Sequence, residues 1–260
     1  MIESLHSPHI GRVKALLSSR GARERRAKHE FVAEGLQSVR EALESRTGPQ
    51  IRTLYATESG MAKLVEDGIN LAGVAVEEVT DGVMKAMADT VTPQGILAIC
   101  TYPSWKMSEI KGKGSVIYLY RIQDPGNAGT IIRTAQALGI SAVITSPDSV
   151  DLFSPKVIRS AAGSHWHLPL FEDVSLSDLI TAFPDYARYA LMGDGDLALS
   201  DVADAKSALW IFGNEAQGLK DLSQELASNR VQSVAIPMEG QTESLNLSVA
   251  AAIVMYAIGQ

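Results

Sequence analysis

The chain has 260 residues, 46% of them hydrophobic, which is enough apolar content for one large core or two ordinary ones. Its formal net charge of −7 argues against a protein that coats nucleic acid by bulk charge, so any such contact must come from a local basic patch. The single cysteine, Cys100, excludes an intramolecular disulfide and a cysteine-rich zinc cluster; it fits a reducing compartment, with the cytoplasm as the expected location.

The opening residues are polar and charged and are not expected to act as a secretory signal; no apolar run approaches the roughly 20 residues of a membrane span. Between positions 11 and 30, Arg12, Lys14, Arg20, Arg23, Arg25, Arg26 and Lys28 are opposed only by Glu24 and Glu30. Taken alone, such a run is as readily a solvated helix face as a nucleic-acid contact. Helical spacing is expected over 31–45 and 80–89, and short strands over 51–57, 73–77 and 95–101, which together make a small α/β unit. Turn formers and charge at 102–106 and 111–114 read as a linker, giving expected domains at 1–101 and 115–260 joined by 102–114.

From 115 onward, apolar strands alternate with helical segments: strands at 115–121, 141–146, 187–192, 207–212 and 231–236, and helices at 129–138, 155–162 and 246–258. Strand followed by helix, repeated, predicts a mostly parallel sheet covered on both faces.

Three polar motifs each follow a strand. In Gln123-Asp124-Pro125-Gly126-Asn127-Ala128-Gly129-Thr130, proline and glycine turn the chain, Asn127 is expected to cap the helix, and Arg133 stands one to two turns in. In Gly213-Asn214-Glu215-Ala216-Gln217-Gly218, the two glycines hold Glu215 on a tight loop, with Gly218 in a left-handed turn. In the stretch from Ile236 to Ala252, a strand ends at Pro237, a polar loop follows, and Ser244 or Asn246 caps an alanine-rich helix. Each motif also has a plain structural explanation: a cap for Asn127, a surface cation for Arg133, a helix-start carboxylate for Glu215. His165-Trp166-His167 could place two imidazoles on one side of a strand, but without a third ligand nearby it reads as packing, and no metal site is expected. Gly193-Asp194-Gly195 lacks the third glycine of a dinucleotide fingerprint.

In order and spacing, the blocks QDPGNAGTIIRTA, FGNEAQGL and IPMEGQTESLNLSVAAA resemble the SpoU family of RNA 2'-O-ribose methyltransferases, within the SPOUT superfamily, over roughly the last 145 residues. More loosely, the basic segment leading into a small α/β domain is similar to the ribosomal-protein-like RNA-binding module of many members. This chain departs from the common pattern where 119–122 read Leu-Tyr-Arg-Ile, since members often carry an aspartate there.

The resemblance implies a deep trefoil knot in the C-terminal sheet, an exception to the usual absence of knots, with S-adenosylmethionine bound in it. By position, Leu191, Gly193, Gly213, Gly218, Ile236, Met238 and Leu245 would contact that cofactor. Arg133, Asn127, Glu215, Ser244 and Asn246 would serve the reaction, while Arg23, Arg25, Arg26 and Lys28 would hold RNA. It further implies a homodimer through the knotted domain and the final helix. Ribosomal RNA is the expected substrate; transfer RNA, or a non-catalytic ribosome-assembly role on the same fold, remains open at this point.

Overall fold

The computed structural model describes residues 1–18, 20–110, 112, 114–205, 207–240 and 244–259. In chain order its helices are α1 (Pro8–Leu17), α2 (Ala22–Lys28), α3 (Leu36–Glu44), α4 (Glu58–Glu66), α5 (Asp81–Met87), α6 (Met107–Ile110), α7 (Pro125–Ala137), α8 (Pro155–Ala161), α9 (Leu176–Ala182), α10 (Leu199–Val202), α11 (Ser223–Ser228) and α12 (Leu247–Ile258). The strands are β1 (Glu30–Glu34), β2 (Ile51–Ala56), β3 (Val76–Glu78), β4 (Ile96–Thr101), β5 (Val116–Leu119), β6 (Ala142–Thr145), β7 (Leu170–Phe171), β8 (Ala187–Leu191), β9 (Leu197–Ala198), β10 (Ala208–Phe212) and β11 (Gln232–Ala235). They form two compact units, Met1–Ser104 with Phe153–His167, and Trp105–Leu152 with Leu168–Gln260.

In the first unit a four-stranded sheet runs in the order β1-β4-β2-β3, with only β2 and β3 parallel. Successive side chains of a strand point to opposite faces. Val32, Tyr55, Leu97 and Ile99 therefore pack with Val13 and Leu16 of α1 and Met84 and Met87 of α5. Phe31 meets Phe153 and Trp166, with ring centroids 5.1 and 6.0 Å apart. The segment 31–45 is not one helix. Residues 30–34 are a strand buried on both faces, and Gly35, at φ +91°, breaks the chain before α3 begins. Cys100 is buried in β4, and burial pushes its thiol well above the usual range, so it is not a nucleophile.

Two further expectations change here. Ser164–Trp166 is a 3-10 turn, not a strand: His165 is fully buried against Phe153, while the His167 ring reaches Glu41 at 2.6 Å. The basic segment does form a helix, but its cations differ in exposure. Arg23, Arg26 and Lys28 are exposed, Lys28 pairing with Glu24 one turn earlier at 3.1 Å. Arg25 is 2% exposed, and its Nη1 donates to the carbonyls of Leu16 and Ser18 at the end of α1. A guanidinium spent on closing a helix terminus cannot also reach RNA, so Arg25 leaves the set of RNA contacts.

The second unit is a seven-stranded sheet in the order β7-β6-β5-β10-β8-β11-β9, with every pairing parallel. Its central strands are apolar on both faces, as a parallel sheet between helix layers requires. Val116, Tyr118, Ile144, Leu209 and Ile211 pack with Leu179 of α9 and Leu226 of α11. The alternate residues Ile117, Leu119, Trp210 and Phe212 turn to the other face, and α7 packs against α12. Part of 102–114 forms α6, whose Ile110 joins this core, and Gly112 N–H donates to the Tyr186 hydroxyl at 2.8 Å. Lys111 and Lys113 lie outside the described residues. No helix among the described residues is long and apolar enough to cross a membrane.

Arg25→Ala should lower the unfolding free energy by about 2 to 4 kcal/mol in urea denaturation, and Arg23→Ala by less than about 0.5 kcal/mol. Equal effects would refute the structural role given to Arg25.

Candidate active site

Because all seven strands run the same way, the loops after β5, β8, β10 and β11 leave from one edge of the sheet. Those strands are also consecutive neighbours. Motifs separated by up to about 120 residues in sequence therefore meet at the carboxyl edge, where open α/β sheets bind ligands.

The first motif is anchored by Asp124, not by Asn127. Asp124 accepts from Asn127 N–H at 2.7 Å and caps α7, and Pro125 occupies the first helical turn. The helix thus starts four residues before its expected beginning at 129. An aspartate directly before a proline was the available sign. Relieved of capping, the Asn127 carboxamide bridges the other two motifs. Its Nδ2 donates to Glu215 at 3.2 Å, and its Oδ1 accepts from Asn246 Nδ2 at 3.1 Å.

Glu215 also accepts from the backbone N–H groups of Gln123 and Asp124, at 3.3 and 3.2 Å. Its own loop is closed by paired backbone bonds between Asn214 and Gly218, at 3.0 and 2.8 Å. The Asn214 side chain accepts from Ala216 and Gln217 N–H and donates to the Arg121 carbonyl at 2.7 Å. Gly218 is left-handed, at φ +61°, and a Cβ on Gly213 would lie 2.3 Å from the Gly218 carbonyl carbon. In the third motif Asn246 caps α12, accepting from Ser248 N–H at 2.9 Å and Val249 N–H at 3.4 Å. Residues 241–243 of that motif lie outside the described residues.

These loops enclose a cleft of about 940 Å³. Leu191, Gly193, Gly213, Gly218, Ile236, Met238 and Leu245 all line it, as do Asn127, Glu215, Ser244 and Asn246. Asp124, Met192, Phe212 and Lys220 line it too, and sequence reasoning had not singled them out. An apolar wall facing a polar side of at least equal extent suits an amphipathic organic ligand of cofactor size. The space beside the Gly193 Cα is open, so a ligand can approach the backbone there. Arg133 does not line the cleft. It stands on the exposed face of α7, and among the described residues it has no hydrogen-bond or ion-pair partner.

Fold and site together define a parallel α/β protein with a ligand cleft at its strand ends. Residues 114–256 match the SpoU rRNA Methylase family, and residues 9–98 match the MRM3-like substrate binding domain. The chain is 33% identical over 236 residues to the 23S rRNA (guanosine(2553)-2'-O)-methyltransferase RlmP of Bacillus subtilis, covering 90% of each. It is 26% identical to the 23S rRNA (guanosine-2'-O-)-methyltransferase RlmB of Xylella fastidiosa, covering 85% of this chain and 93% of that one. The AdoMet-bound rRNA methyltransferase of Sinorhizobium meliloti superposes with a TM-score of 0.84 at 29% identity, covering 99% of this chain and 96% of that one. The chain belongs to the SpoU rRNA methylase family.

Gly213→Ala should push the 214–218 loop out of place and weaken S-adenosylmethionine binding by at least about tenfold in calorimetry. Wild-type affinity in that variant would show that the loop does not shape the cleft.

Proposed function

We propose that this chain is an S-adenosylmethionine-dependent RNA 2'-O-ribose methyltransferase acting on ribosomal RNA of the 23S type. The observation that carries the reading is the convergence of the family's three motifs on one cleft, through the Glu215–Asn127–Asn246 chain of hydrogen bonds. The residues present fit the cofactor. Leu191, Ile236, Met238 and Leu245 offer apolar wall, Gly193 and Gly218 leave open space beside the backbone, and Gly213 lets the 214–218 loop close. When bound, S-adenosylmethionine supplies an electrophilic methyl group on a sulfonium, and no metal is needed.

The protein's tasks are to align a ribose hydroxyl, a weak nucleophile at neutral pH, and to let its proton leave. Asn127, Glu215, Ser244 and Asn246 hold the polar side of the cleft in shape for the ribose. Arg133 steers the target phosphate. A role as base is disfavoured because a guanidinium keeps its proton until above roughly pH 12.

Arg133 reaches a reaction centre through homodimerisation, in which α7 of one protomer faces the cleft of its partner in the knotted arrangement of the family. Two observations support this. Arg133 is exposed and does not line its own cleft, and the neighbouring α12 exposes Val249, Ile253 and Tyr256 as one apolar stripe, at 47, 38 and 60%. Residues 1–101 serve as the RNA-docking domain, with Arg23, Arg26 and Lys28 as its exposed cations and 102–114 as the connection. Such an enzyme works in the cytoplasm.

The test is calorimetric binding of S-adenosylmethionine followed by methyl transfer to bulk ribosomal RNA. Binding with transfer only to transfer RNA would overturn the substrate, and binding without transfer to any RNA would overturn the activity. Arg133→Ala should cut turnover by about 100-fold or more while leaving cofactor affinity unchanged. Tyr256→Glu should yield monomers in sedimentation and lose activity; a monomeric but active variant would refute the shared site.

A further inference from the structure

A second cavity, of about 320 Å³, shares the 214–218 loop with the cofactor cleft and opens over Tyr120, Arg121, Gln123, Asp148 and Asp221. None of these five lines the cleft itself. Two of them, Arg121 at φ +48° and Asp148 at φ +61°, hold left-handed backbone that non-glycine residues adopt rarely. Such conformations persist where the surroundings over-determine them, and they concentrate at ligand sites.

Here the surroundings do so explicitly. Arg121 N–H donates to Ser146 Oγ at 2.8 Å. The Arg121 carbonyl accepts from Asn214 Nδ2 at 2.7 Å and from Gln123 Nε2 at 3.1 Å. The same Gln123 amide donates to the Asp148 carbonyl at 2.7 Å, so one side chain clamps both strained residues.

The result is a fixed planar surface. The Arg121 guanidinium lies over the Tyr120 ring, 5.1 Å from its centroid, and its edge is held by Asp221 at 2.9 Å. With 42% of the Arg121 side chain exposed, solvent still reaches the guanidinium. One guanidinium against two carboxylates is a poor site for phosphate and a good one for a ligand edge that donates N–H groups. Unstacked RNA bases are recognised in this way, by stacking on aromatic or arginine planes and by hydrogen bonds along their edges. Among the four bases, guanine places a ring N–H and an amino group side by side, which matches both oxygens of one carboxylate.

The geometry points to this cavity as a subsite for an unstacked guanine of the substrate RNA, stacked on Arg121 and bound along its donor edge by Asp148. The assignment rests on the RNA methyltransferase reading. Arg121 also lies in the stretch 119–122, where this chain departs from the common family pattern.

The test uses the full chain and labelled nine-nucleotide oligouridines with G, A, C or U at the centre, read by fluorescence anisotropy. S-adenosylmethionine calorimetry and methyl transfer to bulk ribosomal RNA are run on the same preparations. Wild type should bind the G-centred oligomer about tenfold more tightly than the others. Asp148→Asn tolerates left-handed backbone and should abolish that preference; Arg121→Lys keeps the charge but loses the plane and should reduce it. Cofactor affinity should not change in either variant.

Equal affinity for the four oligomers in an active wild-type enzyme, or a preference that survives both substitutions, overturns the guanine subsite alone. A wild-type protein that neither binds S-adenosylmethionine nor methylates RNA overturns the reading beneath it, and the subsite with it.

Discussion

The catalytic half of this protein depends on one carboxylate. Glu215 sits on the loop after β10 and accepts from two backbone N–H groups and one carboxamide of the segment that enters α7. Each bond is individually modest, of the order of 1 kcal/mol. Together they fix the angle at which α7 leaves the sheet. Asn127 is freed by Asp124 from capping its own helix and passes the constraint on to Asn246, the cap of α12. One line of polar contacts thus sets two helix starts and one tight loop around the cleft. The sheet supplies the precondition, because only parallel neighbouring strands deliver these loops to the same edge.

Much of this was legible in the residues, and the limits have physical causes. Five strands of the second unit are short apolar runs between turn formers and occur where that pattern places them; β7 and β9, of two residues each, are too short to show a pattern and were missed. Gly218 is left-handed, and Asn246 caps its helix, because few residue types suit those positions. Asn127 was misread because two capping residues, Asp124 and Asn127, lie three apart; which of them caps is decided by Pro125, and Asn127 then has a partner far away in sequence. Residues 31–34 read as helix because a strand buried on both faces shows no alternation to separate it from a helical apolar run. Arg25 illustrates the same limit in charge: a cation in a basic run looks solvated until the open end of α1 is seen to need its donors.

Work is divided between the units in a way that net charge conceals. Exposed cations on α2 lie in a chain whose total charge is −7. The cleft itself joins an apolar wall to a polar, amide-rich side that is at least as large. Arg133 is a cation on the exposed face of α7, the helix that packs against α12. The proposed homodimer rests on that charge and on the exposed Val249, Ile253 and Tyr256 of α12.

The central claim is that the three motifs act as one body through Glu215, Asn127 and Asn246. A double-mutant cycle on S-adenosylmethionine affinity, combining Glu215→Gln with Asn246→Ala, tests it most directly. Each of the two residues hydrogen-bonds the Asn127 carboxamide, which links them. The losses should therefore fall short of additivity by about 1 kcal/mol, since either change alone already releases the chain. Strict additivity of the two losses would contradict it.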